Sequence, residues 1–152
     1  MSYKEMFSPN LIDLEINGKD ETSVFELVSH KLNELGYVNE GYLQGITNRE
    51  QDFPTGLITQ HLNIALPHAD PEFVEKPFVF IARLTEPVIV KQMGDSQKLE
   101  TQNLFFLGIK NPSEQVGLLQ TFMNLFMDKS FVEKFKNAKE SQEIYQLFAE
   151  NI

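Results

Sequence analysis

An α/β fold, with a central mixed sheet of four to five strands covered by helices on both faces, is predicted by two observations. The runs Phe78-Val79-Phe80-Ile81-Ala82-Arg83-Leu84 and Leu104-Phe105-Phe106-Leu107-Gly108-Ile109 are apolar on both parities, as strands covered on two faces are. Segments with apolar residues at helical spacing bracket them in the chain, so helices are the natural cover for both faces. With 152 residues and 41% hydrophobic content, the chain suits one domain over residues 1–152 built on one sizeable core. No internal repeat, low-complexity tract or long linker suggests a second domain.

The first helix is predicted over Thr22 to Leu35, with Val24, Phe25, Leu27, Val28, Leu32 and Leu35 stacked on one face and Gly36 as its stop. A second helix spans Asn39 to Arg49, followed by the turn-rich segment Asp52-Phe53-Pro54-Thr55-Gly56. Leu62 to Leu66 reads as a short strand ended by Pro67, which has no amide hydrogen for a ladder. Val88-Ile89-Val90, between the two long apolar runs, reads as a short strand near an edge, and Gly94-Asp95-Ser96-Gln97 as a polar turn. Past Asn111-Pro112, Ser113 is the expected N-cap of a helix carrying Val116, Leu118, Leu119, Phe122, Leu125 and Phe126. Two short amphipathic pieces, Phe131 to Phe135 and Glu143 to Phe148, complete the chain.

Composition narrows the function classes. The net charge is −9 and only two residues, Arg49 and Arg83, are arginines, which argues against a nucleic-acid or anionic-membrane surface. The absence of cysteine removes disulfides, thiolate metal sites and cysteine nucleophiles together. No apolar stretch approaches the ~20 residues of a spanning helix and no leader-like segment opens the chain, so a cytoplasmic protein without direct membrane insertion is expected.

No glycine-rich phosphate loop, zinc-protease helix or calcium loop is present, and no acidic pair stands out for acid–base work. The chemistry then falls to the three histidines, since imidazole serves as base, ligand or nucleophile near neutral pH. His30 lies inside the first helix, where packing or solvent exposure accounts for it. His61 stands seven positions before His68, and a structural role is favoured for it. His68 follows Leu66-Pro67 at the carboxyl end of a buried strand, where open α/β sheets place ligands. These histidines do not supply a metal-ligand set, which leaves a nucleophilic imidazole suited to phosphoryl transfer. Arg49 carries a planar fork able to bind phosphate oxygens; its spacing also fits a surface arginine at a helix end.

The stretch Asn48-Arg49-Glu50-x-x-Phe53-Pro54-Thr55-Gly56-Leu57, followed by Ile64-Ala65-Leu66-Pro67-His68, resembles the signature of the fructose/mannitol-type (type 2) enzyme IIA domains of the bacterial sugar phosphotransferase system. The resemblance extends over nearly the whole chain in length and element order, and "FPTGL" before "LNIALPHAD" is most similar to the galactitol-specific branch. It implies the enzyme IIA mannitol/fructose-type fold. It also implies a phosphoryl group accepted on His68 from the histidine phosphocarrier protein and passed to a cysteine of a cognate enzyme IIB, with enzyme IIC served indirectly and no cofactor. By the same match, Nε2 of His68 is phosphorylated while a hydrogen bond holds Nδ1. Arg49 neutralises phosphate oxygens, Pro54, Thr55 and Gln115 belong to the phosphate pocket, and Glu50 and His61 are secondary candidates. Gln115 is a departure, because many mannitol and fructose relatives have a second histidine there; its amide can donate a hydrogen bond but adds no charge. Phe53 or Phe73 near the site could supply the apolar centre of a transient interface, and a core role fits each of them at least as well. A regulatory module controlling a partner through the same histidine is the alternative, and a domain that binds partners without carrying phosphate is a third reading.

Overall fold

The computed structural model describes residues 3–152; Met1 and Ser2, the first two residues of the expected domain, lie outside it. Five strands and five α-helices follow the order β1 (Ile12–Ile16), α1 (Glu21–Glu34), α2 (Tyr42–Asp52), β2 (Gly56–Ile58), β3 (Asn63–Ala65), β4 (Phe78–Lys91), β5 (Lys98–Gly108), α3 (Gln115–Phe126), α4 (Lys129–Asn137) and α5 (Ser141–Asn151). They form one mixed sheet in the order β1-β4-β5-β3-β2. Strands β1 and β4 are parallel, as are β3 and β5, whereas the β4–β5 and β2–β3 pairs are antiparallel.

Alternation along the two central strands divides the interior into two layers. Phe78, Phe80 and Ala82 of β4, with Leu104 and Phe106 of β5, face α1 and α2. Val79 and Ile81, with Phe105 and Leu107, face α3, α4 and α5. Residues of opposite parity are therefore buried on opposite faces, which is the α/β arrangement expected from runs apolar on both parities. The second layer is largely phenylalanine: Phe105 lies 5.1–6.1 Å, centroid to centroid, from Phe122, Phe126, Phe135 and Phe148. Its tilted contacts are a favoured geometry for aromatic pairs.

Helix α1 begins at Asp20, whose carboxylate accepts from the backbone N–H of Ser23 at 2.8 Å. It stops at Gly36, whose φ of +83° lies in the left-handed region open to glycine. Leu27 and Leu35, expected on its apolar face, are exposed instead, because the buried stripe is the narrower set Val24, Phe25, Val28 and Leu32.

Several elements differ from the sequence expectation. Val88-Ile89-Val90 is no separate edge strand: it continues β4 past a register shift between Arg83 and Val88 and pairs with Leu99 to Thr101 of β5. The irregular pairing at Thr85-Glu86-Pro87 leaves the proline out of the ladder. β1 and β2 are strands the sequence reading left out. β1 alternates Ile12, Leu14 and Ile16 with acidic residues, and β2 begins at Gly56, the last residue of the segment read as turn-rich. Asn111, not Ser113, makes the cap before α3: its side chain accepts from the Ser113 N–H at 3.1 Å. A 3₁₀ turn over Pro112–Glu114 then precedes α3. No helix among the described residues is long and apolar enough to cross a membrane.

Candidate active site

His68 sits three residues past β3, at the end of the sheet where the parallel strands β3 and β5 both finish. It makes an isolated parallel bridge with Leu107, and the Pro67 carbonyl accepts the Leu107 N–H at 3.0 Å. Proline contributes only an acceptor at this point, so β5 pins the chain immediately before the histidine without demanding a donor from it. His68 is 5% exposed. Its Nδ1 lies 2.9 Å from the Leu66 carbonyl oxygen. A carbonyl can only accept, so Nδ1 carries the ring proton and Nε2 holds the free lone pair. Nε2 is buried and has no hydrogen-bond partner among the described residues.

Burial is the main reason the His68 pKa lies below its ordinary value. The Leu66 carbonyl pushes it up, the Arg49 charge pushes it down, and Asp70 pushes it up again. The ring is therefore neutral at pH 7, with an available nucleophilic nitrogen.

Arg49 reaches this site along one face of α2. Gly41, Gly45 and Arg49 recur at four-residue spacing, which aligns them on a single face, and the first two leave room for the ring of Phe73. A Cβ on Gly45 would lie 2.6 Å from that ring, and one on Gly41 2.8 Å. Asn39 clamps the same segment, its backbone N–H donating to the Phe73 carbonyl at 3.1 Å and its side-chain amide to the Glu72 carbonyl at 2.9 Å. The close approach carries Asp70 to Arg49, whose Nη1 donates to the carboxylate at 3.1 Å. The guanidinium also stands 5.6 Å from the centre of the Phe53 ring, within cation–π range. Arg49 Nε is buried without a hydrogen-bond partner among the described residues. The site thus combines an unpartnered acceptor, His68 Nε2, with an unpartnered donor, Arg49 Nε, and the arginine's charge acts on the imidazole.

Glu50, the next residue of α2, turns about 100° away from Arg49 and is buried beside Thr55. Thr55 donates its N–H to Glu50 Oε2 at 2.9 Å and its hydroxyl to Oε1 at 3.0 Å. The Thr55 oxygen accepts the N–H of Leu66 at 3.2 Å. Desolvation raises the Glu50 pKa to about 7 against the hydrogen bonds from Thr55, with Glu21 adding to the rise. On the far side, Glu50 borders a cavity of about 230 Å³ that Glu21, Thr47 and Lys91 also line. Burial likewise raises Glu21 to about 7.

The remaining sequence candidates are placed as follows. Thr55 is 3% exposed, and its hydroxyl is engaged by Glu50 and Leu66, so it is not free for a phosphate oxygen; Pro54 is buried beside it. Gln115 is half-buried at the first position of α3, and no hydrogen bond joins it to His68 or Arg49 among the described residues. His61 is half-buried in the β2–β3 connection. His30 is exposed and meets Glu34 one turn later at 2.8 Å. Phe53 is 64% exposed, whereas Phe73 packs on the glycines of α2 and against the core. Asp70 is the site residue that the sequence reading missed; its only signal was an acidic residue two positions after the histidine.

The family model described as "Phosphoenolpyruvate-dependent sugar phosphotransferase system, EIIA 2" matches residues 5–151. The galactitol-specific EIIA component of the Escherichia coli (strain K12) PTS system is 27% identical over 120 residues, covering 77% of this chain and 80% of that protein. Among solved structures, a complex of enzyme IIAMTL and phosphorylated enzyme IIBMTL from Escherichia coli contains a chain of similar fold. Its TM-score is 0.77 at 22% identity, over 95% of this chain and 97% of the other. The nitrogen regulatory protein IIA-Ntr from Neisseria meningitidis shares the fold with a TM-score of 0.73 at 20% identity, over 95% and 97% of the two chains.

Proposed function

Since the chain belongs to the EIIA 2 family of the phosphoenolpyruvate-dependent sugar phosphotransferase system, we propose that His68 is its phosphoryl acceptor, loaded by the histidine phosphocarrier protein and unloaded by a cysteine of enzyme IIB. The observation that carries this reading is the state of the His68 ring: Nδ1 is held by the Leu66 carbonyl, and Nε2 is buried, neutral and unpartnered.

In the first transfer, the Nε2 lone pair attacks phosphorus as the donor's N–P bond breaks, and the bonding pair returns to the donor ring. Positive charge develops on the His68 imidazole, and the Nδ1–H bond to Leu66 strengthens because its donor is now charged. In the second transfer, an enzyme IIB thiolate attacks phosphorus, the S–P bond forms, and the N–P pair returns to Nε2. The Nδ1 proton stays in place throughout. Arg49 meets the equatorial phosphoryl oxygens, where charge accumulates in such transfers. Gln115 donates a neutral hydrogen bond to the same group, and Pro54 and Thr55 shape the wall. The exposed Phe53 beside Arg49 supplies an apolar contact at the rim, and the net charge of −9 speeds encounter with a basic donor surface. No metal or cofactor is needed for either transfer.

The cognate sugar is proposed to be galactitol or a close relative, on the similarity to the galactitol-specific component, with a cytoplasmic, single-domain protein serving enzyme IIC through enzyme IIB. The test is intact mass after incubation with phosphoenolpyruvate, enzyme I and the phosphocarrier, for the wild type and for His68→Ala, His61→Ala and His30→Ala. One acid-labile, alkali-stable phosphate lost only in His68→Ala is expected; an unmodified wild type alongside a loaded control enzyme IIA would refute the proposal. Chase of the labelled protein with galactitol-type and mannitol-type enzyme IIB then separates the substrate branches.

A further inference from the structure

We propose that Glu50 and Thr55 are positioning residues that hold the His68 imidazole in its Nδ1-protonated tautomer through the backbone of Leu66, an inference resting on the reading of His68 as phosphoryl acceptor. The β2–β3 register pairs Gly56 with Ala65, so Thr55 faces Leu66 one step beyond the last ladder pair. There a side chain does the work of a strand: the Thr55 hydroxyl accepts the Leu66 N–H at 3.2 Å. The hydroxyl proton is committed to Glu50 Oε1 at 3.0 Å, and the Thr55 N–H to Oε2 at 2.9 Å. A carboxyl group that accepts one donor of Thr55 on each of its oxygens leaves the threonine oxygen a single orientation, with a lone pair toward Leu66.

The other side of Leu66 meets His68. Its carbonyl accepts Nδ1–H at 2.9 Å, and the Pro67 carbonyl is tied to β5 through Leu107. Leu66 is thus held at its N–H by Thr55 and beyond its carbonyl by β5, which fixes where that carbonyl points. The N–H and the carbonyl flank the Leu66 Cα and belong to different peptide groups, so the effect is geometric and no proton passes along the series. If Leu66 turned, Nδ1–H would lose its acceptor. The ring could then place its proton on Nε2, and a nitrogen carrying a proton has no lone pair for phosphorus. Positions 49 and 50 of α2 divide the task, the arginine facing the phosphoryl group and the glutamate facing the strand that orients its acceptor.

The test uses two-bond ¹⁵N–¹H spectra of the histidine rings in the full chain near neutral pH, together with initial rates of phosphorylation, for the wild type, Thr55→Ser, Thr55→Val and Glu50→Gln. The wild type and Thr55→Ser should show the single Nδ1–H tautomer and similar rates. Thr55→Val, which keeps the shape and removes the hydroxyl, should populate the Nε2–H tautomer and lose at least about tenfold in rate, as a misoriented reacting group does. Glu50→Gln offers one oxygen to two donors and should fall between them; it also carries the comparison should Thr55→Val fail to fold. Wild-type tautomer and rate in folded Thr55→Val and Glu50→Gln would overturn the proposal. A wild type that shows the tautomer response but takes no phosphate would instead overturn the phosphocarrier reading alone.

Discussion

Arg49 donates to Asp70 at 3.1 Å, so the one arginine near His68 is held by a carboxylate two residues after the histidine. The bond orients the guanidinium before any phosphate arrives, while leaving its Nε without a partner. It also sets opposed charges beside the imidazole, Arg49 lowering the His68 pKa and Asp70 raising it.

The two charges give a signed prediction for the unphosphorylated protein. Arg49→Gln should raise the His68 titration midpoint and Asp70→Asn should lower it, both followed by the ring NMR signals as pH is varied. Equal midpoints in all three proteins would show that neither charge reaches the imidazole.

Transfer should respond more strongly than titration. Arg49→Ala should slow phosphorylation of His68 by roughly 100-fold, about 2.7 kcal/mol of transition-state stabilisation, the scale on which a charge-stabilising donor acts. Arg49→Lys should recover only part of it, because an ammonium lacks the planar fork. Gln115→Ala should cost less than Arg49→Ala, since it removes only a neutral donor. Rapid-quench measurement of first-turnover rates orders the three.

Gly45 should tolerate no branched side chain. Gly45→Val would push against the Phe73 ring and is expected to destabilise the fold by about 1–3 kcal/mol in urea unfolding. It should also slow transfer, because the ring seat that brings Asp70 to Arg49 is lost. Wild-type stability in this variant would show that Phe73 yields freely.

Glu50 ties stability to pH. Its folded pKa of about 7 stands above the ordinary 4.5, so between these values the native state binds the extra proton. This group's contribution therefore weakens stability as pH rises from about 4.5 to 7 and is flat above. Glu50→Gln removes that slope, and relative to the wild type it should gain on the order of 3 kcal/mol across the window. Parallel stability profiles for the two proteins, from denaturant melts at pH 5 and pH 7.5, would contradict this.

Local pattern made the layered fold and the key residue types legible in advance. Two strands apolar on both parities can be buried only between two sets of helices, and a proline followed by histidine at a strand end marks a chain that stops pairing where the sheet opens. Gly36 ended its helix as read, because only its left-handed backbone was at stake. These are short-range consequences of residue type and spacing.

What the chain could not show by itself depended on contacts between distant segments. β1 and β2 are short strands whose character comes from the partner they pair with, and Val88 to Val90 joined β4 because β5 lies alongside. The resemblance placed Thr55 only in the phosphate pocket, and its bonds to Leu66 and Glu50 became visible only with the β2–β3 register. Asp70 had no signal until two glycines of α2 admitted Phe73 and drew the 70–74 segment in. Sequence alone determined that a histidine at a strand end and an arginine were available. The resemblance implied a free Nε2, but only the tertiary structure supplied the Leu66 carbonyl that holds Nδ1, because a tautomer is set by the hydrogen bond its other nitrogen makes.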